Sequence, residues 1–123
     1  MSTINYAEQG TPGQGAKLYL WETLTETNVD GQPLELVDFP YRCVQVTGTL
    51  GGAVLSIQGS NDWDGTTGTW FTLKTSGDAD ADFSTAGGAQ LVILPRYLRP
   101  FVTGGSGTDL DVWLYCKRFL GRN

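Results

Sequence analysis

The amino-acid sequence predicts an all-β protein, a single antiparallel β-sandwich of about eight strands behind an extended N-terminal arm. Three observations lead there. Apolar and polar residues alternate in short runs, which is the spacing of half-buried strands. Turn-forming Gly, Asn, Asp and Pro recur between the runs, about every eight to twelve residues. No segment carries apolar residues at the i, i+3, i+4 spacing of a helix face. Composition agrees: of 123 residues 17 are Gly and only 17% are charged. Thr and Ser far outnumber Lys and Glu, a balance that favours strands and tight turns over helices.

Residues 1–16, MSTINYAEQGTPGQGA, are polar and rich in Gly, Gln and Thr. They hold too little apolar surface to form a core, so they read as an arm with one apolar handle, Tyr6, that orders against a neighbouring molecule. Deleting the arm is then expected to leave the melting temperature nearly unchanged. The sandwich domain is expected over residues 17–123. In KLYLWETL, Leu18, Leu20 and Leu24 alternate with Tyr19, Trp21 and Thr23, giving a strand apolar on both faces. A turn at Asp30-Gly31 leads to LELVDF, where Leu34 and Leu36 oppose Glu35 and Val37.

After Pro40-Tyr41, RCVQVTGTL sets Val44, Val46 and Leu50 against Cys43, Gln45 and Thr47. Gly51-Gly52 predicts a tight hairpin returning through AVLSIQG. SNDWDGTTG is a loop of Asx and Gly residues, TWFTL a short strand and GDADAD a polar connection. DFST predicts a brief edge strand, and Ala86–Gly88 a turn. QLVIL is a continuous apolar strand stopped by Pro95. In RYLRPFVTG, Tyr97, Arg99 and Phe101 alternate with Leu98 and Val102, and Pro100 confines the run to an edge, a bulge or a strand start. LDVWLYCKRFL closes the fold, with Leu110, Val112, Leu114 and Cys116 opposite Trp113, Tyr115 and Phe119.

Charge and residue types exclude several functions. The net charge is -5 and the pI about 4.4, which disfavours nucleic acid and anionic membranes, since both need clustered Lys and Arg. No apolar run is long enough to span a bilayer. Residues 1–16 lack the basic and apolar regions of a secretory signal, so no export is expected. There is no histidine, and hence no standard base for a serine or cysteine nucleophile. Glu8, Glu22, Glu26 and Glu35 read as surface carboxylates rather than a glycosidase pair. Asp78, Asp80 and Asp82 form a D-x-D-x-D run, but an EF-hand loop starting at Asp78 would need Gly and Glu where Phe83 and Ala89 stand. The chain therefore reads as a non-enzyme with no cofactor and no metal. Cys43 and Cys116 read as free thiols, with a cross-strand disulfide as the alternative.

Aromatic and cationic residues remain as contact candidates. Trp21 and Trp113 belong to strands, and Trp70 suits a core-facing or cross-strand position. Trp63 stands in a loop, where a large ring either meets a partner or folds back over the sandwich end. Arg96 and Arg99 bracket Tyr97, a combination common at interfaces and equally at home on a sheet edge. The candidate protein-contact residues are Tyr6, Trp63, Arg96, Tyr97 and Arg99.

Two stretches carry a resemblance: YRCVQVTGTLGGAVLSIQGSNDWDGTTGTWFTL, from Tyr41 to Leu73, and the later PRYLRPFVTGGSGTDLDVWL. Together, from Pro40 to Leu120, they resemble small bacteriophage head and decoration proteins. The resemblance implies a jelly-roll sandwich of the capsid cement or stapling type found on short-tailed phages. It further implies a small homo-oligomer, dimer or trimer, that sits on the outer capsid and bridges major capsid protein subunits. It implies no catalytic residues. The expected location is the virion surface, after synthesis in the host bacterial cytoplasm. A head fibre base or a tail protein shares the same pattern. QGSND before a Trp strand is also similar to discoidin-like and carbohydrate-binding sandwiches, which keeps a sugar-binding module as the second reading.

Overall fold

Ten strands form where the period-two runs lie, in a computed structural model that describes residues 2–10, 15–36 and 38–118. They are β1 (Tyr6–Glu8), β2 (Ala16–Leu24), β3 (Leu34–Glu35), β4 (Tyr41–Thr49), β5 (Val54–Ser60), β6 (Phe71–Thr72), β7 (Asp82–Phe83), β8 (Gly87–Leu91), β9 (Tyr97–Thr103) and β10 (Asp109–Lys117). The described residues include no helix. One sheet runs β1-β2-β10-β4-β8. The other runs β3-β9-β5-β6, with β7 on a further stretch of β5. All strand pairs are antiparallel. The protein is an all-β sandwich.

The core lies between the sheets. Leu110, Val112, Leu114 and Cys116 of β10 face it, with Val44 and Val46 of β4 beside them. Leu55 and Ile57 of β5 and Leu98 and Val102 of β9 answer from the other sheet. Each such side chain contributes about 1.5–3 kcal/mol when fully buried. On β2 the inward residues are Tyr19 and Trp21. Leu24 joins them although strict alternation puts it on the other face. Thr23 takes a positive φ of 64° and the register with β10 shifts between Leu110 and Val112, so one extra residue turns Leu24 inward. The expected facings of Val37 and Phe119 lie outside the described residues.

Four expectations change. Gly51-Gly52 does not close a hairpin, because β4 belongs to one sheet and β5 to the other. The two glycines, at φ 62° and 84°, carry the chain across the core between buried Leu50 and Ala53. A Cβ on Gly51 would strike the Ser106 carbonyl. Both flanking strands have one apolar face, so local alternation is the same for a hairpin as for this crossing.

Pro100 lies in a central strand, paired opposite Ile57. Its carbonyl accepts the Gly31 N–H at 2.9 Å, which points away from β5. Its nitrogen faces that same side, where β3 has already ended, so no ladder bond to β5 is lost. The strand over QLVIL runs from Gly87 to Leu91, so Gly87 and Gly88, expected in a turn, pair with Val46 and Gln45 of β4 instead.

The N-terminal segment read as an arm is part of the sheet. Tyr6, Ala7 and Glu8 pair with Trp21, Leu20 and Tyr19. Ile4 donates to the Asp30 carbonyl at 3.0 Å and accepts from Gln32 at 2.8 Å. The Tyr6 ring meets Tyr19 and Trp21 edge-on, at 5.5 and 5.9 Å. Composition alone hides this, because three apolar side chains suffice once a neighbouring strand supplies the rest of the surface.

Candidate functional site

Alternation in β9 sends Leu98, Pro100 and Val102 inward and therefore Tyr97, Arg99 and Phe101 outward. Gln58 of the neighbouring β5 faces out beside Arg99. The Arg99 guanidinium lies over the Trp70 ring at 4.1 Å and near the Phe101 ring at 5.0 Å. Its Nε donates to Gln58 Oε1 at 3.0 Å, and its Nη1 stands 3.8 Å from Asp30 Oδ2. The side chain is only 14% exposed. Trp63 packs on Trp70, with centroids 5.7 Å apart and planes tilted by 50°. Arg96 stands over Tyr97 at 5.2 Å, and its Nε donates to Glu35 at 2.8 Å.

Four of the five contact candidates thus gather on one side of the second sheet: Trp63, Arg96, Tyr97 and Arg99. Tyr6 lies apart, on the first sheet against Tyr19 and Trp21. Trp70 is outside rather than core-facing, and it is the residue that ties Trp63 to Arg99. It precedes β6, which is itself only two residues long, so no run of alternation declares its face.

The loop carrying Trp63 is held by its own carboxylates. Asp62 accepts from the Thr69 N–H at 2.8 Å and the Ser60 hydroxyl at 2.7 Å. Asp64 accepts from the N–H groups of Thr67 and Thr66 at 2.8 and 2.9 Å. Those donors hold both carboxyls below the usual aspartate value, with the backbone N–H of Thr69 and of Thr67 the leading causes. A depressed folded pKa gives stability that is present above the unfolded value and lost as pH falls through the folded one. The loop should therefore loosen below about pH 4. Tryptophan fluorescence of the wild type and of Asp64→Asn should differ at neutral pH and converge in acid. A difference that persists unchanged in acid contradicts this account.

The outer face of the first sheet has a different chemistry. Leu20 of β2 stands opposite Trp113 of β10, and Leu18 opposite Tyr115. Across β10, Trp113 faces Gln45 and Tyr115 faces Cys43 of β4. Strand alternation points these side chains away from the core, with Leu18, Trp113 and Tyr115 part-exposed and Leu20 buried at 6% beneath its neighbours. Tyr41, Cys43, Gln90, Tyr115 and Lys117 line a shallow hollow of about 240 Å³ there. The middle of the face is apolar and aromatic, with charge towards its margins at Glu22, Asp109, Asp111 and Lys117.

The same alternation settles the cysteines. Cys43 is exposed on this outer face, and Cys116 is buried in the core. They lie on opposite faces of neighbouring strands, so both are free thiols and the disulfide alternative falls. Burial pushes the Cys116 thiol up to about 12. A maleimide should label one thiol in native protein, at Cys43, and the second only after unfolding. Prompt labelling of both would show that the β10 core face opens.

The remaining carboxylates are dispersed. Asp80 pairs with Lys74 at 2.7 Å and Asp82 accepts from Ser56 at 2.6 Å. Among the described residues no group of three His, Cys, Asp or Glu is placed to hold a metal. No described helix is long and apolar enough to cross a membrane. Comparison with known protein families, with curated proteins and with solved structures finds no match to this chain.

One polar side chain escapes the sequence reading. Arg42 shares the inward parity of Val44 and Val46, and it is buried at the end of the sandwich. The signal lay in the alternation itself, since any residue two before an inward Val points inward as well.

Proposed function

We propose that this chain is a virion structural protein, a decoration protein that binds the outside of a phage capsid and stabilises it by bridging major capsid protein subunits. The observation that carries the reading is the outer face of the first sheet, where part-exposed Leu18, Trp113 and Tyr115 lie together around buried Leu20. Contiguous apolar surface of this kind suits docking on another protein. The resemblance of residues 40–120 to phage head proteins supplies the partner. The net charge of -5 suits a basic shell surface. Modest contacts repeated over a shell, and between copies of the chain itself, sum to strong attachment through multivalency.

The sugar-binding reading is weaker. A sugar platform needs an open ring face, but of its two suspect rings Tyr97 carries Arg96 and Trp63 packs on Trp70.

Co-sedimentation with phage heads lacking the protein, followed by cryo-electron microscopy, tests the proposal. Regular, saturable density on the shell is expected for the wild type. Trp113→Glu should keep its melting transition and lose binding. Absence of binding to mature heads would sink the decoration role.

A further inference from the structure

At one end of the sandwich lies a hollow of about 370 Å³, walled by Glu35, Leu36, Pro40, Arg42, Leu94 and Arg96 among others. That volume is within the range of small-ligand sites. Arg42 is only 3% exposed. Its Nε donates to the Phe39 carbonyl at 2.8 Å and its Nη2 to the Leu36 carbonyl at 3.2 Å. Its Nη1 is sealed from water and has no partner among the described residues. None of the ion pairs among the described residues involves Arg42. Its cross-strand neighbours on the two sides are Cys116 and Leu91, a thiol and a hydrocarbon.

A buried guanidinium without a countercharge is costly, because it has given up the hydration of its charge. Two carbonyls satisfy two of its five donors. An anion in the hollow would supply the missing charge. Arg96 reaches the same hollow with its Nε held by Glu35 at 2.8 Å, leaving further N–H groups for a second partner.

We propose that this hollow is a carboxylate-binding site that takes an acidic side chain of a partner protein between Arg42 and Arg96. The aliphatic stem of that side chain packs against Leu36, Pro40 and Leu94. Two features select the ligand class. Glu35 in the wall disfavours a doubly charged phosphate more than a singly charged carboxylate. The wall includes an exposed apolar residue, Leu94 at 51%, which serves a flanking polypeptide and not a free acid. Because Nη1 is closed off in the free protein, binding includes a side-chain shift at this rim. The site is independent of the capsid reading, since it concerns the free protein and a different surface.

The test is a titration followed by NMR on the Nε–H signals of Arg42 and Arg96. The probes are acetyl-Leu-Glu-Leu-amide, acetate and inorganic phosphate, each against sodium chloride at equal ionic strength. Saturable shifts of both signals with the peptide are expected, with acetate and phosphate weaker. Arg42→Met and Arg96→Gln should each weaken the peptide by about tenfold or more, the loss of a charge-assisted hydrogen bond. If Arg42→Met does not fold, Leu94→Asp replaces it, since a charge at the rim should repel the peptide. Shifts that merely follow ionic strength, or survive Arg96→Gln and Leu94→Asp, overturn the site. Acetate or phosphate binding as tightly as the peptide overturns the protein partner.

Discussion

Replacing Trp21 with alanine should lower the unfolding free energy by about 3–5 kcal/mol, the range for a large aromatic removed from a core. Trp21 is 1% exposed and touches elements from both ends of the chain. Tyr6 of β1 meets its ring, and its Nε1 donates to the Gln32 carbonyl at 3.1 Å. Gly31 closes the remaining side: a Cβ there would come within 2.7 Å of the Trp21 ring and 2.6 Å of Pro100. Nothing so tightly walled can collapse to fill the space. Trp21→Phe should cost less, about 1–3 kcal/mol, mainly from the orphaned Gln32 carbonyl. Urea unfolding monitored by circular dichroism gives both values. A loss below about 1 kcal/mol for the alanine variant would mean that the site repacks, contrary to its geometry.

Removing residues 1–10 should cost about 2–4 kcal/mol, from the partial burial of Ile4 and Tyr6 and the edges of Tyr19 and Trp21 that they cover. The backbone bonds of Ile4 to Asp30 and Gln32, and of Gln9 to Leu18 at 2.7 Å, go with them. This reverses the expectation that a polar arm is dispensable to the fold. A melting temperature unchanged by the deletion would show that β1 detaches in solution and that the segment is an arm after all. The result also bears on function, because β1 borders the apolar outer face through Ala7, which pairs with Leu20.

These two variants mark where sequence reading succeeds and fails. Trp21 was legible as a strand residue, since alternation with Leu20 is a local property of an extended chain. Tyr6 was legible as the one apolar handle of its segment, but its partner was not. The same division runs through the candidate site. Tyr97, Arg99 and Phe101 share a face by period alone. Trp70 stands in the loop before β6 and joins them only through folding. Cys43 and Cys116 are separated by their parities, which were readable once the two strands were known to be neighbours. Arg42 obeyed the alternation of its strand, yet its residue type hid it, because charged side chains are almost never fully buried.

The sequence by itself determined the class of the fold, the inward sets of β4 and β10 and the lack of histidine for histidine-based chemistry. These depend on near neighbours in the chain and on side-chain identity. Tertiary structure alone decided which strands pair, that Gly51-Gly52 crosses between sheets, and that Pro100 sits harmlessly inside one. It also decided that Trp63, Trp70 and Arg99 form one layer and that Arg42 lies at the wall of a hollow. Period-two alternation states which way a side chain points but not what it meets. Strand partners are chosen by the fit of whole apolar faces, and by backbone groups left open where another strand ends, over long separations in sequence.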